Sequence, residues 1–156
     1  MRLYEKSLSE MNQAFGKDIQ YAFATVDQDQ PYVRIVDGFF HNGSIYISTY
    51  GLCRKVLHID KNPKVSLCYK LNTFKGICKN IGHPKNEENK EIREVLKKVF
   101  HLFYENHVNE EDPNTCFLKV DLTCAVMFDQ NKKYAFNFRS QEVFVSNHVD
   151  DMIYLP

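Results

Sequence analysis

The fold is decided between residues 33 and 69, which contain the segments VRIV (33–36), IYIST (45–49), CRK (53–55) and NPKVSLCY (62–69). Three of these segments are short and rich in β-branched and aromatic residues, a composition typical of strands. Between them, Leu52, Val56 and Ile59 follow the spacing of one helical face. Asn62-Pro63 ends that helix, because the residue before a proline disfavours the helical conformation. The stretch therefore predicts two strands, a short helix and a further strand.

Strand signals continue on both sides of this stretch. Asn42-Gly43 is typical of a tight hairpin turn, because both of its residues accept a positive φ. The segment 141–156 is predicted to be either a closing strand or an arm. Strands are predicted at residues 19–26, 32–40, 44–49, 64–71, 74–81, 116–129 and 134–139.

Two further segments carry apolar residues at helical spacing. Residues 3–15 form the first, and the second predicts one long helix over 87–106, with Glu87 and Glu88 at its positive dipole end. The acidic segment 105–113 is predicted to be a solvated loop. Because hairpins join most strands, the chain predicts a mainly β, α+β fold in which an antiparallel barrel is capped by helices. A length of 156 residues and the absence of a linker predict a single domain over 1–156.

Composition narrows the function classes. Twenty basic residues balance 20 acidic ones, which argues against a dedicated nucleic-acid-binding protein. No apolar run approaches the ~20 residues of a membrane helix. Five cysteines, without a Cys-x-x-Cys pair and without a signal-peptide core upstream, indicate reduced thiols in a cytoplasmic protein. None of the six histidines has the spacing of a metal site, so no metal site is predicted. No histidine can be recognised from the sequence as the base of a cysteine, so no cysteine nucleophile is predicted.

The start of the helix after Cys53 is a candidate phosphate site. Helix N-terminal amides carry a partial positive charge, and Arg54 and Lys55 add two full charges there. Ser48 and Thr49 contribute hydroxyls, and Arg34 comes from the neighbouring strand of the hairpin. Taken alone, the helix cations also fit a solvated helix face, and Arg34 also fits an edge-strand charge that discourages aggregation.

The ordered segments Arg34-Ile35-Val36, Ser48-Thr49, Cys53-Arg54-Lys55 and NPKVSL (62–67) resemble the pyridoxamine 5′-phosphate oxidase-like FMN-binding split barrels. The similarity extends from about Phe23 to Gly82. The resemblance implies a six-stranded antiparallel split β-barrel that forms a homodimer with FMN at the subunit interface. It implies that Lys75 and Gly76 run close to the flavin ring of the other subunit. It also implies a set of cofactor-binding residues: Arg34, Arg54 and Lys55 at the phosphate, the backbone of Ile35 and Val36 along the ring, and Ser48 and Thr49 nearby.

The chain departs from the family pattern at three points. Cys53 stands where a serine is usual, and Asp37 stands in a strand that is usually apolar. The tryptophan and the Arg-His-x-Arg segment that true pyridoxamine phosphate oxidases use for pyridoxal phosphate are absent, with Phe138-Arg139 a remnant at best. The resemblance therefore implies the fold and an FMN site, but not that substrate.

The functional expectation is an FMN-binding flavoprotein, a flavin-dependent oxidoreductase acting on a small molecule. By the same resemblance, NADH or NADPH is the expected electron donor, and a nitroaromatic is a candidate acceptor, as in the nitroimidazole-reductase branch. Two alternatives stay open. One is a non-catalytic flavin-binding or stress-related module, and the other is a haem-binding protein on the same barrel, with His148 as its only candidate ligand.

Overall fold

The computed structural model of the chain describes residues 2–147. A 3₁₀ turn over Glu87–Asn89 leads into the third helix. The helices and strands, in chain order, are α1 (Leu3–Phe15), β1 (Ile19–Asp27), β2 (Gln30–His41), β3 (Ser44–Tyr50), α2 (Arg54–Lys61), β4 (Lys64–Tyr69), β5 (Asn72–Gly82), α3 (Lys90–Val99), α4 (Tyr104–His107), β6 (Thr115–Asp129), β7 (Lys132–Asn137) and β8 (Glu142–Asn147).

Six of the strands close into a barrel in which every pair of neighbours is antiparallel. Around the barrel the order is β1, β2, β3, β6, β5 and β4, and β4 pairs again with β1. The pairing of β3 with β6 closes it, from Ser44 opposite Asp121 to Tyr50 opposite Thr115. This confirms the prediction of a six-stranded antiparallel split β-barrel with an α+β composition.

Strand β6 changes partners part-way along one edge. Residues 115–121 pair with β3, whereas residues 124–129 pair with β7 on the same side. Strand β8 then pairs with β7, so the last hairpin extends beyond the barrel. The segment after residue 140, predicted to be either a closing strand or an arm, forms a strand over Glu142–Asn147, but within residues 2–147 this strand pairs only with β7 and does not close the barrel. Residues 148–156, with His148, lie outside the described residues.

The barrel interior is filled by the inward-facing side chains of each strand. Met11 and Phe15 of α1 add to this core, and the Phe15 ring meets Phe74 edge-on at a centroid distance of 5.1 Å. Burying each such side chain contributes about 1.5–3 kcal/mol. Gly38 makes room for a neighbouring ring, because a Cβ there would lie 2.8 Å from Tyr21. The inward-facing residues of β1 are Ile19, Tyr21, Phe23 and Thr25.

The region predicted as one helix over 87–106 is divided in the structure. Helix α3 ends at Val99, and the Phe103 N–H donates to the Phe100 carbonyl at 2.8 Å in a tight turn before α4. The turn keeps Phe100 and Tyr104 buried in the cluster around Phe117, while Leu102 is left 81% exposed. The single-helix prediction is wrong. Apolar residues spaced alternately three and one apart fit one long helix, but they fit equally well two shorter helices that pack on the same surface.

The acidic segment 105–113 is not a solvated loop throughout. Glu110 accepts two hydrogen bonds from Arg93, each at 2.7 Å, and a third from the Tyr104 hydroxyl at 2.7 Å. The hydrogen bonds from Arg93, and then the one from Tyr104, outweigh burial and hold the pKa of Glu110 at about 2. The carboxylate therefore ties this loop to α3.

Three further observations concern the described part of the chain. None of its helices is both long enough and apolar enough to cross a membrane. Residues 2–147 contain no group of three or more His, Cys, Asp or Glu side chains placed to hold a metal ion. The five cysteines are free thiols, and Cys78 and Cys116 are buried.

Candidate functional site

The three cations predicted at a phosphate site come together around one open cavity. It has a volume of about 390 Å³ and lies where β2 meets the start of α2. Within residues 2–147, none of the three cations forms an ion pair with a carboxylate. The cavity is therefore electropositive. Its lining residues are Tyr32, Val33, Arg34, Cys53, Arg54 and Lys55.

Arg34 is held in place by one of its terminal nitrogens. Its Nη1 donates to the Thr25 hydroxyl at 2.7 Å and to the Phe23 carbonyl at 3.3 Å. Burial lowers the pKa of Arg34 and so does the charge of Arg54, but arginine stays protonated at neutral pH. Within residues 2–147, its Nε and Nη2 make no hydrogen bond. Three N–H donors are therefore left for an anion in the cavity.

His58 contacts two residues that hold the arginines of the cavity. These are Thr25, which binds Arg34, and Tyr32, over which Arg54 lies. Its imidazole is buried, and Nδ1 lies 2.8 Å from the Thr25 hydroxyl that holds Arg34. The ring also lies 4.8 Å from the Tyr32 ring, over which the Arg54 guanidinium sits at 5.8 Å. The spacing of four residues between Arg54 and His58 is the only sequence signal of this contact, and Thr25 carries none.

Cys53 occupies the N-cap position of α2, where the family pattern has a serine, but its thiol makes no capping hydrogen bond to the helix. Its thiol lies 3.6 Å from the Thr49 hydroxyl. Burial raises the pKa of Cys53, but the backbone N–H of Val56, the Thr49 hydroxyl and the charge of Lys55 outweigh it, so that the pKa is lowered. Thr49 therefore acts on the cavity through Cys53. Ser48 does not line the cavity.

The neighbouring residues of β2 alternate between the two faces of the barrel wall. Val33 and Ile35 are 71% and 62% exposed on the outer face, whereas Val36 is buried. Of Val36, only the backbone is therefore free to meet a ligand outside the barrel. Asp37 also faces outward and contacts Asp18. Burial, and then the charge of Asp37 and a hydrogen bond with it, raise the pKa of Asp18 to about 6.

Two more cavities continue along the outer face of β1, β4 and β5. The first, of about 280 Å³, shares Val33 with the cavity at the start of α2 and is lined by Ala22, Ala24 and Phe74 among others. The second, of about 500 Å³, adjoins the first at Lys75 and also contains Gly76. We call this row of three cavities the outer groove. Lys75 and Gly76, expected near the ring of the other subunit, lie at the end away from Arg54.

A cavity of about 590 Å³ lies elsewhere, between α3 and the strands β2, β3 and β6. It is lined by Glu88 and Glu91 as well as by Lys119 and His41. A phosphate dianion there would face two carboxylates, which the outer groove does not present. The larger volume therefore does not make it the better phosphate site.

No family model matches the chain, and no curated protein matches it. Solved structures do match the chain. A NimC/NimA family protein from Clostridium acetobutylicum is 20% identical, with a TM-score of 0.55 over 94% of this chain and 95% of that one. A pyridoxamine 5′-phosphate oxidase-related, FMN-binding protein from Nostoc punctiforme is 12% identical, with a TM-score of 0.56 over 96% and 98%. General Stress Protein 26 from Bacillus anthracis is 22% identical, with a TM-score of 0.55 over 80% and 92%.

These likenesses concern the fold, because identity is low in each case. Solved structures with this fold nevertheless include the kinds of protein that the sequence resembles, among them the pyridoxamine 5′-phosphate oxidase-related, FMN-binding protein and a candidate 5-nitroimidazole antibiotic resistance protein from Bacteroides thetaiotaomicron. The resemblance drawn from the segments between Phe23 and Gly82 is thus confirmed at the level of the fold.

Proposed function

We propose that this protein binds FMN through the cavity at the start of α2 and acts as a flavin-dependent oxidoreductase on a small molecule. The observation that carries the proposal is the arrangement of Arg34, Arg54 and Lys55 around one cavity, without a carboxylate among its lining residues. Solved proteins with this fold include FMN-binding and FAD-binding examples and an F420 reductase. Flavin, when bound, supplies the redox chemistry.

In this proposal each cation has a distinct task at the phosphate. The free Nε and Nη2 groups of Arg34 form a fork that suits two phosphate oxygens. Arg54, stacked on Tyr32, and Lys55, beside the Cys53 thiol, neutralise the second negative charge. The first amides of α2 add a partial positive charge. The backbone of Ile35 and Val36 would then run along the flavin ring, with Ser48 and Thr49 behind it.

We also propose that the protein is a homodimer and that a second copy covers the outer face of β2 at Val33 and Ile35. Val33 and Ile35 are large apolar side chains more than half exposed on a barrel wall, next to Ala22 and Ala24. Exposed apolar patches of this kind mark interaction surfaces. A cofactor lying on this face would be enclosed only when a partner covers it.

The cofactor is tested by titrating the purified apoprotein with FMN and with riboflavin, which lacks the phosphate, and following flavin fluorescence. FMN is expected to bind at least about 10²-fold more tightly than riboflavin, since each charge-assisted hydrogen bond contributes about 1.5–3 kcal/mol. Equal affinities would refute the phosphate assignment. A haem-like absorbance band in place of a flavin band would favour the haem alternative.

The activity is tested by adding NADH or NADPH to the FMN-loaded protein without oxygen. Bleaching of the flavin band within seconds supports an oxidoreductase that uses a nicotinamide donor. A flavin band that neither nucleotide bleaches would favour the non-catalytic module. Reoxidation by a nitroaromatic compound then tests the acceptor.

The dimer is tested with Ile35→Glu, which places a charge on the exposed outer face of β2, two residues from Val33 of the outer groove. Sedimentation is expected to give twice the chain mass of 18.4 kDa for the wild type and a monomer for the variant. Leu102→Glu is the matched control, because Leu102 is 81% exposed but lies in the turn before α4. A monomeric wild type at micromolar concentration would refute the proposal.

A further inference from the structure

We propose that Lys64, Lys75 and Arg139 form a second anion site, at the opposite end of the outer groove from Arg54. It accepts the carboxylate, sulfonate or phosphate group of a small molecule whose apolar body lies on the groove floor. That this molecule is the oxidoreductase substrate rests on the proposed function, whereas the anion site itself does not. These three residues line one cavity of about 500 Å³, a volume within the ~300–1,000 Å³ range of small-molecule sites.

Two of the cations are placed by the pairing of β4 with β5. Ser66 lies opposite Lys75, and Lys64 lies opposite Ile77, so the two lysines are diagonal neighbours on the outer face. Diagonal neighbours in an antiparallel pair are about 7–8 Å apart, a span that one anionic group between two flexible lysines can bridge. Both lysines are exposed, and within residues 2–147 neither forms an ion pair.

The third cation reaches the cavity because of a bulge between β5 and β6. Lys75 pairs with Cys124 and Gly76 with Leu122, so that Thr123 is an extra residue on β6. Its hydroxyl donates to the Lys75 carbonyl at 3.2 Å, and its own carbonyl accepts from the Phe138 N–H at 3.0 Å. The bulge thereby holds the turn after β7 against the cavity. Such irregularities often re-aim side chains next to functional sites.

The turn that carries Arg139 is itself ordered. The Asn137 side-chain oxygen accepts from the backbone N–H of Arg139 at 3.0 Å and from that of Ser140 at 3.2 Å. The Arg139 side chain is exposed, and within residues 2–147 it has no carboxylate partner. A fixed backbone with an unpaired guanidinium is suited to a ligand that arrives from solvent.

The composition of the cavity defines the class of ligand. No aspartate or glutamate lines it, although the chain as a whole carries no net charge. A local excess of three positive charges on a neutral protein attracts anions. The floor is apolar and includes Ala24, Val26 and Pro31, so an inorganic ion alone would leave most of it unfilled. An aromatic or aliphatic anion satisfies both features.

The test uses two fluorescent probes that share an apolar skeleton, anilinonaphthalene sulfonate and uncharged phenylnaphthylamine. Each is titrated against the wild type, against Lys75→Glu with Arg139→Glu, and against Lys90→Glu. Lys90 is the matched control because it is exposed at the start of α3, where a glutamate suits the helix dipole. We expect the double variant to weaken sulfonate binding on the order of tenfold or more. We expect phenylnaphthylamine affinity and the control variant to change less than about twofold.

Unchanged sulfonate affinity in the double variant, or an equal loss for both probes, would overturn the proposal. If circular dichroism shows that the charge reversals unfold the protein, Lys75→Gln with Arg139→Gln replaces them, and the same comparison of probes decides.

Arg54→Ala separates the anion-site proposal from the flavin proposal. If it weakens the sulfonate probe and the double variant does not, the probe binds in the phosphate cavity and the second site is refuted. If the double variant loses the sulfonate probe while FMN and riboflavin bind equally to the wild type, the anion site stands and the flavin proposal falls.

Discussion

Arg34 and His58 meet at a single hydroxyl group, that of Thr25. The Thr25 oxygen accepts from Arg34 Nη1 at 2.7 Å and lies 2.8 Å from His58 Nδ1. When Nδ1 carries no proton, the hydroxyl donates to it while accepting from Arg34 Nη1. A buried residue of α2 thus sets the direction of a guanidinium on β2.

Thr25→Val should separate FMN from riboflavin. The variant keeps the shape of the side chain but leaves a buried imidazole nitrogen and an arginine N–H unpaired, so we expect a loss of about 1–3 kcal/mol in the free energy of unfolding. With Arg34 no longer held, FMN affinity should fall about tenfold while riboflavin affinity is unchanged. Thr115→Val is the control, because it also removes a hydrogen-bonded buried hydroxyl but lies outside the outer groove. An unchanged ratio of the two flavin affinities would show that Thr25 has only a structural role.

Arg54→Ala combined with Lys55→Ala should weaken FMN binding without unfolding the protein. Arg54 is exposed and Lys55 half-buried, so their loss opens no core cavity. Two lost charge-assisted hydrogen bonds should reduce FMN affinity by about 10²-fold or more. Riboflavin binding and the thermal midpoint should stay as in the wild type. A collapse of the midpoint, with both flavins equally affected, would instead assign these cations to the stability of α2.

Glu110→Gln should destabilise the protein and change its response to acid. Removing the charge from a carboxylate that accepts three hydrogen bonds should lower the free energy of unfolding on the order of 3 kcal/mol at neutral pH. Because the pKa of Glu110 is about 2 in the fold against 4.5 ordinarily, its contribution is present above pH 4.5 and is lost as the pH falls towards 2. Urea unfolding at several pH values measures this.

The neighbouring Glu111 is the control for that experiment. Its side chain is 85% exposed and pairs with Lys85. Glu111→Gln should therefore leave the unfolding midpoint nearly unchanged. Equal effects of the two substitutions would contradict the assignment of Glu110 as the tie between the loop and α3.

Asp37→Asn should weaken a second pH dependence of stability, opposite in sign to that of Glu110. The pKa of Asp18 is raised from 3.8 to about 6, so its contribution to stability is fully present below pH 3.8 and is lost as the pH rises through 6. Without the charge of Asp37, the thermal midpoint should fall less between about pH 4 and 7. Asp29→Asn, in the turn after β1, is the matched control. An identical pH profile for wild type and Asp37→Asn would show that the two carboxyl groups do not interact.

Local signals made most of the barrel predictable. Strand segments alternate or run apolar between clear turn residues, and Asn42-Gly43 adopts the two positive φ angles, 49° and 83°, that such a hairpin turn requires. A shared site for three cations could be predicted, because only one hairpin separates Arg34 from Arg54 and Lys55. The order of these segments, more than any one of them, pointed to the fold.

The remaining features depend on contacts between residues far apart in the chain. Glu110 and Arg93 are 17 residues apart, and Thr25 and His58 are 33 apart. No periodic pattern in a sequence indicates contacts over such separations, so neither the half-buried ion pair nor the hydroxyl that holds Arg34 could be predicted. The same holds for the bulge at Thr123, because it exists only in the register between β5 and β6.

The change of partners along β6 has a consequence for how the chain folds during synthesis. Strand β3 finds its closing neighbour only in residues 115–121, and Ser44 bonds to Asp121 across 77 residues. Until that segment leaves the ribosome, β3 has one free edge, and the hairpins made earlier cannot form a closed wall. Pairings this distant in sequence carry a high entropic cost and slow the folding rate. The barrel can therefore close only after β6 has been synthesised, because β6 supplies the neighbour of both β3 and β5.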